Sequence, residues 1–283
     1  MITRTVSGIV FLCILLSGII FHPFGFAAVF IFVIIAGLHE FYGMLLPSSF
    51  PLRKYLGYLT AAILFLLFYA KGFGAISANC FWILTVPVAA LFAAELYSKS
   101  ATPFLSIAYV LSGVLYIAMP FALVNTLTFN SGNYDYHLLL TLFIFLWSND
   151  VGAYCFGMML GRKGKHKLFE RISPKKSWEG FWGGIIAVLL AGFILSYVWG
   201  ERYIGANHPF EQGMNLIQWY ILAVIVSIFA TFGDLTESML KRSVGAKDSG
   251  KIMPGHGGIL DRFDGALIAF PCALAYIHIF NIL

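Results

Sequence analysis

Windows of about twenty apolar, almost uncharged residues recur from one end of this chain to the other, and no other feature narrows its fold so far. A helix rises 1.5 Å per residue, so about 20 residues cross a hydrocarbon core roughly 30 Å thick. Nine such windows can be marked, at 6–22, 24–46, 55–70, 79–97, 104–127, 136–160, 180–200, 216–238 and 259–281, the third being the shortest. Inside lipid every backbone N–H and C=O must be satisfied within the structure, which leaves helices or closed barrels. Barrel strands alternate in polarity over short segments, whereas these windows are continuous. The pattern predicts an all-α polytopic transmembrane helical bundle of about nine spans. Composition agrees: 60% of residues are hydrophobic and 11% charged, against roughly 25% charged in soluble domains. The opening run MITRTVSGIVFLCILLSG has the look of a signal peptide; because span after span follows, it reads as a first helix. Cys13, Cys80, Cys155 and Cys272 lie in apolar windows without CxxC or metal-ligand spacing, and read as small buried side chains.

Orientation follows from Lys and Arg, which favour cytoplasmic connections. With the N-terminus cytoplasmic, nine spans put sixteen of the eighteen basic residues inside, leaving only Lys71 and Arg202 outside. The inside set includes Arg4, Arg53, Lys54 and Lys99. It also includes Arg162, Lys163, Lys165, Lys167, Arg171, Lys175 and Lys176 in one connection, and Lys241, Arg242, Lys247, Lys251 and Arg262 near another. The net charge of +5 is then explained by attraction to anionic membrane lipid, and no nucleic-acid partner is expected. The two basic connections, 161–179 and 239–258, are separated by two spans and emerge on one face. The chain divides in this reading into N-terminal membrane helices, 1–135, and a C-terminal catalytic membrane region, 136–283.

Acidic residues are scarce, thirteen in all, so their placement is informative. Asp150, Asp234, Glu237, Asp261 and Asp264 fall in or at the edge of spans, where an ionised group costs on the order of 2.5–3.5 kcal/mol on the lenient insertion scale. Asp234 with Glu237, and Asp261 with Asp264, have i, i+3 spacing and share a helix face. The plain alternative is pairing with Lys241, Arg242 or Arg262. The chemical reading is a hard cation: Mg²⁺ takes oxygen ligands and is commonly held by one or two carboxylates plus substrate phosphates. The many nearby bases would hold those phosphates. Pro254, Gly255, His256, Gly257 and Gly258 lead into the ninth span, where glycine lets backbone approach an anion and a helix N-terminus favours one. His256 is a candidate phosphate donor. In RISPKKSWEG, Ser173-Pro174 reads as a turn, Ser177 as a helix N-cap, and Lys175 and Lys176 as groups facing polyphosphate. His39 and Glu40 read as packing or helix-pairing polar groups.

The stretch SMLKRSVGAKDSGKIMPGHGGILDRFD, Ser238–Asp264, resembles the signature of the phosphatidate cytidylyltransferases, also called CDP-diacylglycerol synthases: S-x-apolar-K-R, four residues, K-D, then P-x-H-G-G-apolar-x-D-R-x-D. SPKKSWEG and NDVGAYCFG resemble upstream segments of the same family. The resemblance implies conversion of CTP and phosphatidate to CDP-diacylglycerol and diphosphate with Mg²⁺, with a second cation such as K⁺, in a homodimer of the bacterial inner membrane whose active site faces the cytoplasm. It implies metal-site roles for Asp234, Asp261 and Asp264. Lys241, Arg242 and His256 join them as catalytic candidates. Ser173, Lys175, Lys176, Lys247, Asp248, Gly257, Gly258 and Arg262 are the substrate-binding candidates. Three rivals fit less well, the first of them a non-catalytic homologue, against which the intact signature argues. A transporter commonly shows internal repeats and charges at the membrane midplane, which are not evident here. A CDP-alcohol phosphotransferase would continue DGALIAF with an Arg and further aspartates that are missing.

Overall fold

A computed structural model describes residues 2–46, 50–130, 132–161, 166–200, 214–255, 257–280 and 282. Among the described residues nine long helices dominate: α1 (Ile2–Phe21), α2 (Pro23–Leu45), α3 (Leu52–Gly72), α4 (Ala78–Leu96), α5 (Pro103–Thr128), α6 (His137–Met159), α7 (Trp178–Trp199), α8 (Leu216–Ser243) and α9 (Leu260–Ile279). Among the described residues, α2 to α9 are each long and apolar enough to cross a membrane, and the apolar part of α1, Thr5–Phe21, is shorter. The protein is a polytopic helical membrane protein.

The third span, shortest on the sequence, is a full helix of 21 residues. The eighth runs five residues beyond its expected end, carrying Lys241 and Arg242 into α8 instead of a connection; SMLKR contains no helix breaker, and Lys241 pairs one turn back with Glu237. Helix α5 holds a π-turn over Val114–Ala118 just before Pro120, whose missing N–H deprives the ladder of a donor. Connections form two small antiparallel hairpins, β1 (Phe129–Asn130) with β2 (Asn133–Tyr134) and β3 (Lys167–Phe169) with β4 (Ser173–Ser177). The thiols are all free. Contrary to the buried reading, Cys13, Cys80 and Cys155 are exposed and Cys272 is partly so, which places the first three on outward helix faces within apolar stretches.

The chain forms two compact units, Met1–Tyr136 with Val244–Phe263, and His137–Ser243 with Asp264–Leu283. The first unit therefore takes most of the signature segment. In its core the ring of Tyr42 fills the space left by Gly57 on α3 and Gly113 on α5, and its hydroxyl donates to the Val110 carbonyl at 2.8 Å. Arg53, read from sequence as a connection charge, is instead buried: it meets Glu95 at 3.1 Å and donates to the Ser106 hydroxyl at 2.5 Å. In the second unit, α6 and α7 pack through small residues. A side chain at Gly152 would collide with Ala187 and the Gly183 carbonyl, and one at Gly184 with Asn149. Close backbone approach of this kind is how helices associate without a hydrophobic drive between them. Asn149 also accepts a buried hydrogen bond from the Ser227 hydroxyl at 2.6 Å, tying α6 to α8.

Candidate active site

In the second unit the charged groups gather where α8 meets the part of α9 that belongs to this unit. Gly233 faces the Asp264–Gly265 backbone so closely that a β-carbon there would overlap the Asp264 carbonyl oxygen, and Gly265 packs on Ala230. Each carboxylate is thus adjacent in sequence to the glycine that permits the crossing: Gly233-Asp234 on α8, Asp264-Gly265 on α9. The contact of the small residues brings the two acids together. Asp234 and Asp150 are the carboxylates whose charges act on Asp264, with Lys176 as counter-charge. Asp264 Oδ1 accepts the Gly265 amide N–H at 2.7 Å, and Asp234 Oδ1 accepts the Ser238 hydroxyl at 3.3 Å.

The opposing base comes from the β3–β4 hairpin. Trp178 N–H donates to the His166 carbonyl at 3.0 Å, and His166 Nδ1 lies 2.9 Å from Glu179 Oε1, closing the hairpin onto the start of α7. Ser177 is the N-cap, its side chain accepting from Gly180 N–H at 3.2 Å, as the sequence indicated. Successive strand residues point to opposite faces, so Lys175 is exposed while Lys176 reaches Asp234 at 2.6 Å. Ser173 stands on the same strand, paired with Phe169. Arg242 is exposed at the end of α8. Lys241 is different: its ammonium lies 2.5 Å from the fully buried carboxylate of Glu237, so its partner within the chain is structural where the sequence suggested phosphate.

The first unit holds the signature loop. Lys247, Asp248 and Arg262 are exposed. Asp261 Oδ2 accepts Ser249 N–H at 3.1 Å, the Ser249 hydroxyl at 3.0 Å and Gly258 N–H at 2.8 Å. Ile259 and Leu260 donate their N–H groups to Glu40 at 3.0 and 2.9 Å. The phosphate cradle expected at Gly258 and the helix start therefore differs from the structure, because these three N–H groups already face carboxylates of the chain. Gly257 has φ +88° and lies where a side chain would press on Asp261 Oδ2, so this position requires glycine. His256 lies outside the described residues, as do Arg162, Lys163, Lys165 and Arg202.

Sequence reading missed Ser249 altogether and gave Glu40 only a packing or helix-pairing role. It also passed over Gly233 and Gly265, although glycine beside an intramembrane aspartate was a legible sign of a close crossing. Among the described residues no three His, Cys, Asp or Glu side chains gather tightly enough to hold a metal by themselves. The pair Asp234 and Asp264 still suits Mg²⁺ in its donor chemistry, since hard oxygen ligands from one or two carboxylates are completed by water and substrate phosphates.

These features define the class: a polytopic membrane protein whose ionised groups concentrate at helix ends and in the adjoining loops. The chain belongs to the Cytidylyltransferase family, whose model matches residues 2–280. It is similar to the phosphatidate cytidylyltransferase of Staphylococcus haemolyticus strain JCSC1435, 38% identical over 175 residues, which are 62% of this chain and 60% of that one. It is also similar to the proteins of that name from Staphylococcus aureus strain COL, 39% identical over 176 residues, and Staphylococcus saprophyticus, 36% over 176. The matching stretch spans 60% of the length of each of these relatives.

Proposed function

We propose that this protein transfers the cytidylyl group of CTP to phosphatidate at the cytoplasmic face of a bacterial inner membrane. A phosphate oxygen of phosphatidate forms a bond to the α-phosphorus of CTP, the bond from that phosphorus to the bridging oxygen breaks, and diphosphate leaves. The products are CDP-diacylglycerol and diphosphate. The observation that carries the reading is the family match across residues 2–280, and the polar crossing of Asp234, Asp264 and Lys176 supplies chemistry that suits it. Phosphatidate brings an anionic nucleophile, so no general base is required, and the work left to the protein is positioning and charge stabilisation.

In this reading Asp234 and Asp264 hold Mg²⁺, which when bound neutralises charge on the CTP phosphates. Lys176 sits beside Asp234 and passes to phosphate oxygens when nucleotide arrives, with Lys175 and Arg242 alongside. Asp261 anchors the signature loop through its saturated Oδ2, and Lys247 and Arg262 are phosphate candidates of the first unit. A second cation such as K⁺ and a homodimer belong to the same reading. The test is turnover of labelled CTP by purified protein with phosphatidate vesicles: CDP-diacylglycerol forms only when CTP, phosphatidate and Mg²⁺ are all present. Uptake of an ion or phosphate into proteoliposomes without nucleotide turnover would point to a transporter instead.

A further inference from the structure

Glu40 lies on α2, 219 residues before Ile259, yet its carboxylate is committed to the signature segment. It is 5% exposed. Oε1 accepts the Ile259 N–H at 3.0 Å, and Oε2 accepts the Leu260 N–H at 2.9 Å and the Ser249 hydroxyl at 3.0 Å. Gly250 and Gly258 leave room for it, since a β-carbon at either would overlap the Glu40 carboxylate. A buried carboxylate is tolerated only when donors surround it, and the first N–H groups of a helix are such donors, favoured further by the helix dipole. Helices usually take this cap from a neighbouring Ser, Thr, Asp or Asn. A local cap fixes only the helix end. A cap carried by a different helix also fixes where that helix end and its preceding loop sit in the fold. Ser249 extends the effect, because its hydroxyl lies 3.0 Å from both Glu40 Oε2 and Asp261 Oδ2.

The geometry points to Glu40 as a positioning residue for the reaction proposed above, on which this inference rests. It holds the start of α9 and the preceding loop at Ser249, and through Ser249 it sets the orientation of Asp261. A residue serving only helix packing would need neither the charge nor the link to Asp261.

The test uses the full chain in lipid nanodiscs, with amide hydrogen exchange and steady-state kinetics on the same preparations. Glu40→Gln keeps the size but turns one acceptor into a donor facing N–H groups. It is expected to speed exchange at Ile259 and Leu260 at least tenfold while α3 to α5 are unchanged, and to lower kcat at least tenfold with the KM for CTP within threefold of wild type. Ser249→Ala leaves both amide bonds to Glu40 in place; exchange at Ile259 and Leu260 stays as in wild type while kcat falls several-fold. Faster exchange in Glu40→Gln with wild-type kcat reduces Glu40 to a structural cap and overturns the inference. Unchanged exchange overturns the cap itself. Should Glu40→Gln fail to fold, wild-type kcat in Ser249→Ala is the overturning result. Absence of CDP-diacylglycerol formation by the wild-type protein sinks the reaction and the positioning role with it, whereas the exchange data judge the cap independently.

Discussion

Asp234 and Asp264 are the carboxyl groups that most need explaining, since each sits in an apolar helix beside another acid. Substituting Asn at either keeps the shape and removes the anion. Asp234→Asn and Asp264→Asn should each lower CTP- and Mg²⁺-dependent CDP-diacylglycerol formation at least a hundredfold while the protein elutes and melts as wild type; near-normal rates in either contradict the metal assignment. Lys176→Ala removes the counter-charge of Asp234 and should raise the KM for CTP about tenfold, roughly 1.4 kcal/mol. A shift confined to the phosphatidate dependence would reassign the hairpin. The acids could be found from sequence because charge in an apolar window is conspicuous. Glu40 could not be assigned, because its partners are 209 to 220 residues away and no local pattern links them.

Among the elements, α8 carries Lys241, which pairs within the helix with Glu237, the plain alternative to phosphate binding that the sequence offered. The Lys241 ammonium stabilises a carboxylate with no exposure, and breaking a buried ion pair on one side costs about 3–5 kcal/mol because the other charge stays buried. Lys241→Ala should therefore lower the thermal midpoint markedly. Glu237→Gln/Lys241→Ala should recover part of the loss, which a phosphate-binding role alone would not produce. The spans themselves were legible because lipid demands long unbroken apolar runs, and among the described residues eight of the nine windows correspond to helices of spanning length. The β3–β4 hairpin was not legible. SPKKS contains a proline and two lysines, poor strand formers, and becomes a strand only by pairing with Lys167–Phe169 beneath the capped start of α7.

For the whole molecule, the distribution of basic residues is the feature that sets orientation. Single cysteines placed at Ser173 and Ser77 in a cysteine-free background should label on opposite sides of the membrane with an impermeant maleimide, Ser173→Cys from the cytoplasm. Labelling of both from one side contradicts the proposed orientation. Of the boundaries between the two units, the one between Phe263 and Asp264 was not legible from sequence, since it falls inside the continuous helix α9, where neither composition nor a linker marks it.

The most direct test of the central claim is the fate of CTP labelled separately at the α- and γ-phosphates, incubated with the purified protein, phosphatidate and Mg²⁺. The account predicts α-label in CDP-diacylglycerol and γ-label in diphosphate in equal amounts, both abolished by chelation of the metal. Release of γ-label as orthophosphate without α-label entering lipid would contradict it.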